Sequence, residues 1–137
     1  MVEVYCPCKA SNIEVKSILC TEGKEYRMKI NKSLLSGSTS LLILRILEEG
    51  DKYGYEMIQC LADRSQNVFE MKEGTLYPVL HALEAKGSIK SYDLETASGR
   101  TRRYYCLTDT GRRQLAEESE QWRAFSGAVN GILSFSC

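Results

Sequence analysis

The sequence predicts a mainly α fold that carries one β-hairpin and ends in a long helix. Three observations lead there. Apolar residues recur at helical spacing in three successive stretches between residues 33 and 86. The pattern then changes to alternation on both sides of a glycine-containing turn. From Asp109 onward helical periodicity returns, with apolar residues seven apart.

The elements follow in order. In "SLLSGSTSLLILRILEEG", Leu41, Leu42, Leu44, Ile46 and Leu47 are dense enough to be largely buried. Ser38 or Ser40 is expected to cap this helix and Gly50 to end it. "DKYGYEMIQCLADRSQ" reads as a second helix, with Tyr55, Ile58 and Leu61 as its apolar stripe beside Met57 and Ala62. "SQNVFEMK" is a loop. The third helix, "EGTLYPVLHALEAKG", places Leu76, Val79, Leu80 and Leu83 on one face. If Thr75 caps it, Pro78 falls in the first turn, where a missing N–H costs little. Gly87 is its natural stop. "SIKSYDL" and "TRRYYCLT" are strands joined by "ETASGR", with Arg100, Arg102, Arg103, Arg112 and Arg113 at or near the hairpin tip and exit. "DTGRRQLAEESEQWRAFSGAVNGIL" is the final helix. Leu115, Trp122 and Val129 are spaced by seven, as are Phe125 and Ile132, which makes a short heptad seam. Gly127 and Gly131 weaken its helicity while permitting close approach.

With 137 residues, one domain with a real core is expected, and a formal net charge of zero means that any basic surface is local. Patterning becomes consistent only from Met28. Residues 1–27 are therefore read as an N-terminal extension, either not native or poorly ordered, 28–108 as the folded reading domain, and 109–137 as a dimerisation helix and tail. No run is apolar enough to span a bilayer, and the N-terminus lacks a secretory signal, so a cytoplasmic location away from membranes is expected. Cys6 and Cys8 form C-P-C, one residue closer than zinc sites prefer. Even with Cys20 no histidine or second close pair completes a set, so no metal is expected. Cys60 and Cys106 are expected to be buried as small hydrophobes. There is one histidine, no glycine-rich phosphate loop, no H-E-x-x-H and no cysteine with a plausible base, so neither catalytic residues nor a cofactor are expected.

Three helices, a hairpin and a further helix in that order describe a winged helix-turn-helix. "KYGYEM", "GTLYPVLHALEAKGSI" and "GRTRRYYCLTDTGRRQL" resemble the signature blocks of PadR-like transcriptional regulators, from about Lys32 to about Leu133. The chain is most similar to the short members, with a single helix after the wing. The resemblance implies a homodimer built through that helix. It also implies a repressor released by a small aromatic or hydrophobic ligand, a planar molecule stacked on a tryptophan at the dimer centre. Trp122 occupies the similar place.

For the reading surface, Lys72, Thr75, Tyr77, Pro78 and His81 lie on the outward side of the third helix, toward its N-terminal half. Thr75 and His81 suit base edges in a major groove, and Tyr77 suits a phosphate. Arg100, Arg102 and Arg103 would take the wing to the backbone or a narrow minor groove, although strand alternation keeps all three from pointing one way. A single winged helix makes few contacts, so two on a near-palindromic double-stranded operator are expected. Leu115, Trp122, Phe125, Val129 and Ile132 would form the dimer and ligand surface, against the first helix around Leu34 and Leu35. The competing reading is a winged helix used for protein–protein contact without specific DNA binding.

Overall fold

The computed structural model describes residues 30–135. Over them the chain forms α1 (Lys32–Glu48), β1 (Lys52–Tyr53), α2 (Gly54–Arg64), α3 (Glu73–Ala85), β2 (Ile89–Glu95), β3 (Thr101–Leu107) and α4 (Asp109–Leu133). This is the winged helix-turn-helix with a long C-terminal helix. Residues 1–29, with Cys6, Cys8, Cys20 and the segment read as an N-terminal extension, lie outside the described residues.

One core holds the elements together. Ile43, Leu44, Ile46 and Leu47 of α1 meet Met57, Cys60 and Leu61 of α2, Leu76, Leu80 and Leu83 of α3, Ile89 and Tyr105 of the sheet, and Leu115 of α4. Burial of this many aliphatic side chains is the main force, at roughly 1.5–3 kcal/mol for each large one.

The helix starts differ from the expectation. Asn31 caps α1, its side chain accepting from the Ser33 N–H at 2.9 Å, so the helix begins well before Ser38 or Ser40. A strong side-chain acceptor at the helix entry decides the matter, and Ser38 instead bonds back to the carbonyls of Leu34 and Leu35. The second helix is shorter than expected, because Lys52–Tyr53 form a strand paired with Tyr105 and Tyr104 of β3. Its stripe is also rotated: Met57, Cys60 and Leu61 are buried, whereas Tyr55 is exposed. Cys106 is only half-buried.

The sheet order is β1-β3-β2, all antiparallel, with Ile89 opposite Leu107 and Glu95 opposite Thr101. The hairpin turn closes with the Thr96 N–H donating to the Arg100 carbonyl at 2.7 Å, and Gly99 supplies the left-handed φ of +81°.

At the far end of α3 the chain stops in a Schellman turn. The Ser88 N–H donates to the Leu83 carbonyl and the Gly87 N–H to the Glu84 carbonyl, both at 3.0 Å, with Gly87 at φ +78°. The start of α4 is built directly on this turn. The Ser88 carbonyl accepts from the N–H and hydroxyl of Thr108, at 3.1 and 2.9 Å. Thr108 also caps α4, accepting from the Gly111 N–H at 3.1 Å. A Cβ on Gly111 would stand 2.1 Å from the Ser88 carbonyl oxygen, so only glycine lets the helix come this close. The Ser88 hydroxyl completes the joint by donating to the Gln114 side chain. The start of α4 is therefore seated on the turn that ends α3, with no room for a side chain at Gly111.

Candidate nucleic-acid interface

The inner face of α3 is as the spacing predicts: Leu76, Leu80 and Leu83 are buried and Val79 is half-buried. Its start is not. Lys72 is the N-cap residue, so Thr75 lies inside the helix and Pro78 falls in the second turn. Proline has no N–H, so the regular bond to the Gly74 carbonyl cannot form there. At about 100° per residue, Gly74, Pro78 and His81 form the outermost row, and all three are exposed. Thr75 and Tyr77 flank that row on opposite sides.

Both flanks have structural duties. Thr75 and Lys72 lie at the edge of a cleft that runs back to α1 between Leu35, Thr39, Met71 and Val79. Tyr77 is 38% exposed, and its hydroxyl end lies against α2: a Cβ added at Gly54 would sit 2.9 Å from that oxygen. Tyr77 thus fixes how α3 crosses the start of α2, in addition to offering an edge outward. Gly54 and its neighbour Tyr53 escaped the sequence reading. The signal was the glycine between two tyrosines in "KYGYEM", which marks a close approach.

The wing separates its arginines. Arg100 is exposed at the tip. Arg102 shares the outer face of the sheet with Tyr104, opposite Leu94 and Tyr92, and its guanidinium lies 4.5 Å from the centre of the Tyr53 ring. Arg103 faces the other way, 3.8 Å from the Asp93 carboxylate across the hairpin. That pair is well exposed, so salt and solvent screen it. Arg112 and Arg113 are exposed on the first turns of α4.

The seam on α4 divides. Leu115 is 5% exposed and belongs to the protomer's own core, where α4 packs on α1, so it is not available to a partner. Trp122, Phe125, Val129 and Ile132 continue the row uncovered, with Trp122 at 49%, Phe125 at 60% and Ile132 at 76% exposure. The Trp122 and Phe125 rings are 6.1 Å apart. Leu34 of α1 is exposed as well, while Leu35 is half-buried.

This architecture agrees with comparison to known proteins. The model of the transcriptional regulator PadR-like family matches residues 43–117, just over half of the chain. The chain belongs to that family. It is therefore a transcriptional regulator of PadR type and not an enzyme. Among relatives, it is 37% identical to the transcriptional regulator Rv3488 of Mycobacterium tuberculosis over 91 residues, covering 66% of this chain and 81% of that one. A transcriptional regulator from Clostridium thermocellum has a similar structure, with TM-score 0.69 and 31% identity over 74% of this chain and 99% of that chain. A PadR family transcription regulator from Clostridium difficile is 39% identical, with TM-score 0.62 over 72% of this chain and all of that chain. The PadR signature blocks thus fall on the α2 start, α3 and the wing with its α4 junction. No helix among the described residues is long and apolar enough to cross a membrane.

Proposed function

We propose that this PadR-type regulator binds double-stranded DNA sequence-specifically as a homodimer, with α3 in the major groove and the wing on the flanking backbone. The observation that carries the proposal is the pairing of two exposed surfaces. One is the outermost row of α3, with Gly74, Pro78 and His81, beside a wing whose tip is Arg100. The other is the uncovered row Trp122, Phe125, Val129 and Ile132. A helix that projects beyond its own core with this much apolar surface is stable only against another surface, and a second copy supplies a complementary one. Two copies then present two reading helices to a near-palindromic site.

In this arrangement Lys72, Thr75, Tyr77 and His81 supply phosphate and base-edge contacts, and Arg100, Arg102 and Arg103 the cationic wing. The two Trp122 side chains, each half-open on a single chain, meet near the centre of the dimer. They form a slot for a planar aromatic molecule, whose binding favours one spacing of the two reading helices and so releases a repressor from DNA. The experiment is a fluorescence-anisotropy titration against duplexes selected from a random pool, with a scrambled duplex as control and salt varied. Selective binding with a steep salt slope is expected. Equal binding to both duplexes at every salt would favour a protein–protein module.

A further inference from the structure

The outer face of the sheet carries an aromatic layer that the core does not need. Tyr53, Tyr104 and Tyr92 stand across β1, β3 and β2, with ring centres 5.5 Å apart in an edge-to-face pair and 5.8 Å apart in a stacked one. None belongs to the buried core. The layer is anchored at one end, where the Tyr92 hydroxyl donates to the Asp51 carboxylate at 2.7 Å. That bond pushes the phenol's pKa up to about 12. At the other end the Arg102 guanidinium lies over Tyr53. Arg102 has no carboxylate within ion-pair distance among the described residues, whereas Arg103 has Asp93. Its charge is oriented by a ring and left unneutralised. Tyr53 adjoins Gly54, against which the Tyr77 hydroxyl of the reading helix rests. One chain of contacts thus runs from α3, through the start of α2, to the wing.

An arginine that meets a phosphate from free solution gives up side-chain freedom, and prior stacking removes much of that loss. We infer that Tyr53 is a positioning residue for DNA binding, its ring holding the Arg102 guanidinium at a fixed offset from the reading helix so that the wing reaches the duplex with a phosphate-binding cation already ordered. The inference rests on the DNA-binding reading above.

The test uses the full chain and a duplex selected by it from a random pool. Affinity is measured against salt for wild type, Tyr53→Phe, Tyr53→Leu, Arg102→Ala and the Tyr53→Leu/Arg102→Ala double variant, with thermal melts confirming folding. Arg102→Ala is expected to weaken binding and to lower the salt slope by about one. Tyr53→Phe keeps the ring and binds as wild type. Tyr53→Leu loses about two- to thirtyfold, within the range of a cation–π contact, and costs nothing further once Arg102 is gone. Additive losses in the double variant would overturn the inference, as would wild-type binding by Arg102→Ala or by a folded Tyr53→Leu. Should Tyr53→Leu fail to fold, Arg102→Lys decides, since lysine keeps the charge without the planar stack. A loss is expected, and wild-type affinity would overturn the inference. If wild type itself selects no sequence, the DNA-binding reading has failed and the inference falls with it.

Discussion

The two halves of α4 carry apolar residues along one row, interrupted at Glu118, and meet opposite fates. Leu115 and Trp122 are seven apart and point the same way, yet Leu115 is sealed in the core while Trp122 is half-open. The first half starts in a tight joint, with Thr108 and Gly111 closed on Ser88. The second half leaves the body of the protomer, and Phe125, Val129 and Ile132 find no cover there. A periodic apolar face therefore marks a surface suited to packing against another. Only the fold tells which part of that surface the chain buries itself.

The strongest way to break this contrast is Gly111→Ala. The new Cβ would meet a backbone oxygen at 2.1 Å, and neither the Schellman turn nor the helix start can retreat without losing hydrogen bonds. We expect a loss of about 3 kcal/mol or more, measured by denaturant unfolding at fixed protein concentration. Unchanged stability would mean that the junction yields and that the two halves differ less than they look. Phe125→Asp probes the other half. It should leave the secondary structure intact and weaken self-association by more than about a hundredfold, since a charge replaces a large apolar side chain at the seam. Sedimentation over a concentration range checks it, and an undiminished dimer would remove the free row from the interface. A smaller effect is expected from Thr108→Ala. Losing the cap and the hydroxyl's bond to Ser88 should cost about 1–2 kcal/mol, with self-association per folded chain unchanged.

The same contrast explains what was legible beforehand. The hairpin and α4 follow from short-range patterns. Alternation around a glycine turn and a long helical period survive folding because each reports directly on which side chains share a face. The buried face of α3 was legible for the same reason. The start of α1 was not: Ser38 and Ser40 stand nearer the apolar run, and only the Asn31 side chain bonding to Ser33 shows where the helix begins. The strand at Lys52–Tyr53 left no pattern either, being two residues long and created by pairing with β3 about fifty residues away. Within the candidate interface, the outward side of α3 could be read from spacing. The separation of Arg100, Arg102 and Arg103 into a free tip, a stacked partner of Tyr53 and a partner of Asp93 could not, because it depends on cross-strand neighbours.

The smallest expected effect has the opposite sign and tests which side of α4 the proposed dimer uses. Gly127 invites a close helix crossing when the sequence is read alone. On the helix as formed, it lies about 140° around the axis from Trp122, and Gly131 about 180°. Both therefore sit across from the row of Trp122, Phe125, Val129 and Ile132. A Cβ at Gly127 meets nothing within 4 Å in the protomer. Gly127→Ala should then act through helix propensity alone, raising stability by up to about 1 kcal/mol and leaving the association constant unchanged. Gly111→Ala in the same helix should lower stability severalfold more than this raises it. If association instead weakens in Gly127→Ala, the partner reaches the back of the helix as well, and the second half of α4 is enclosed from two sides.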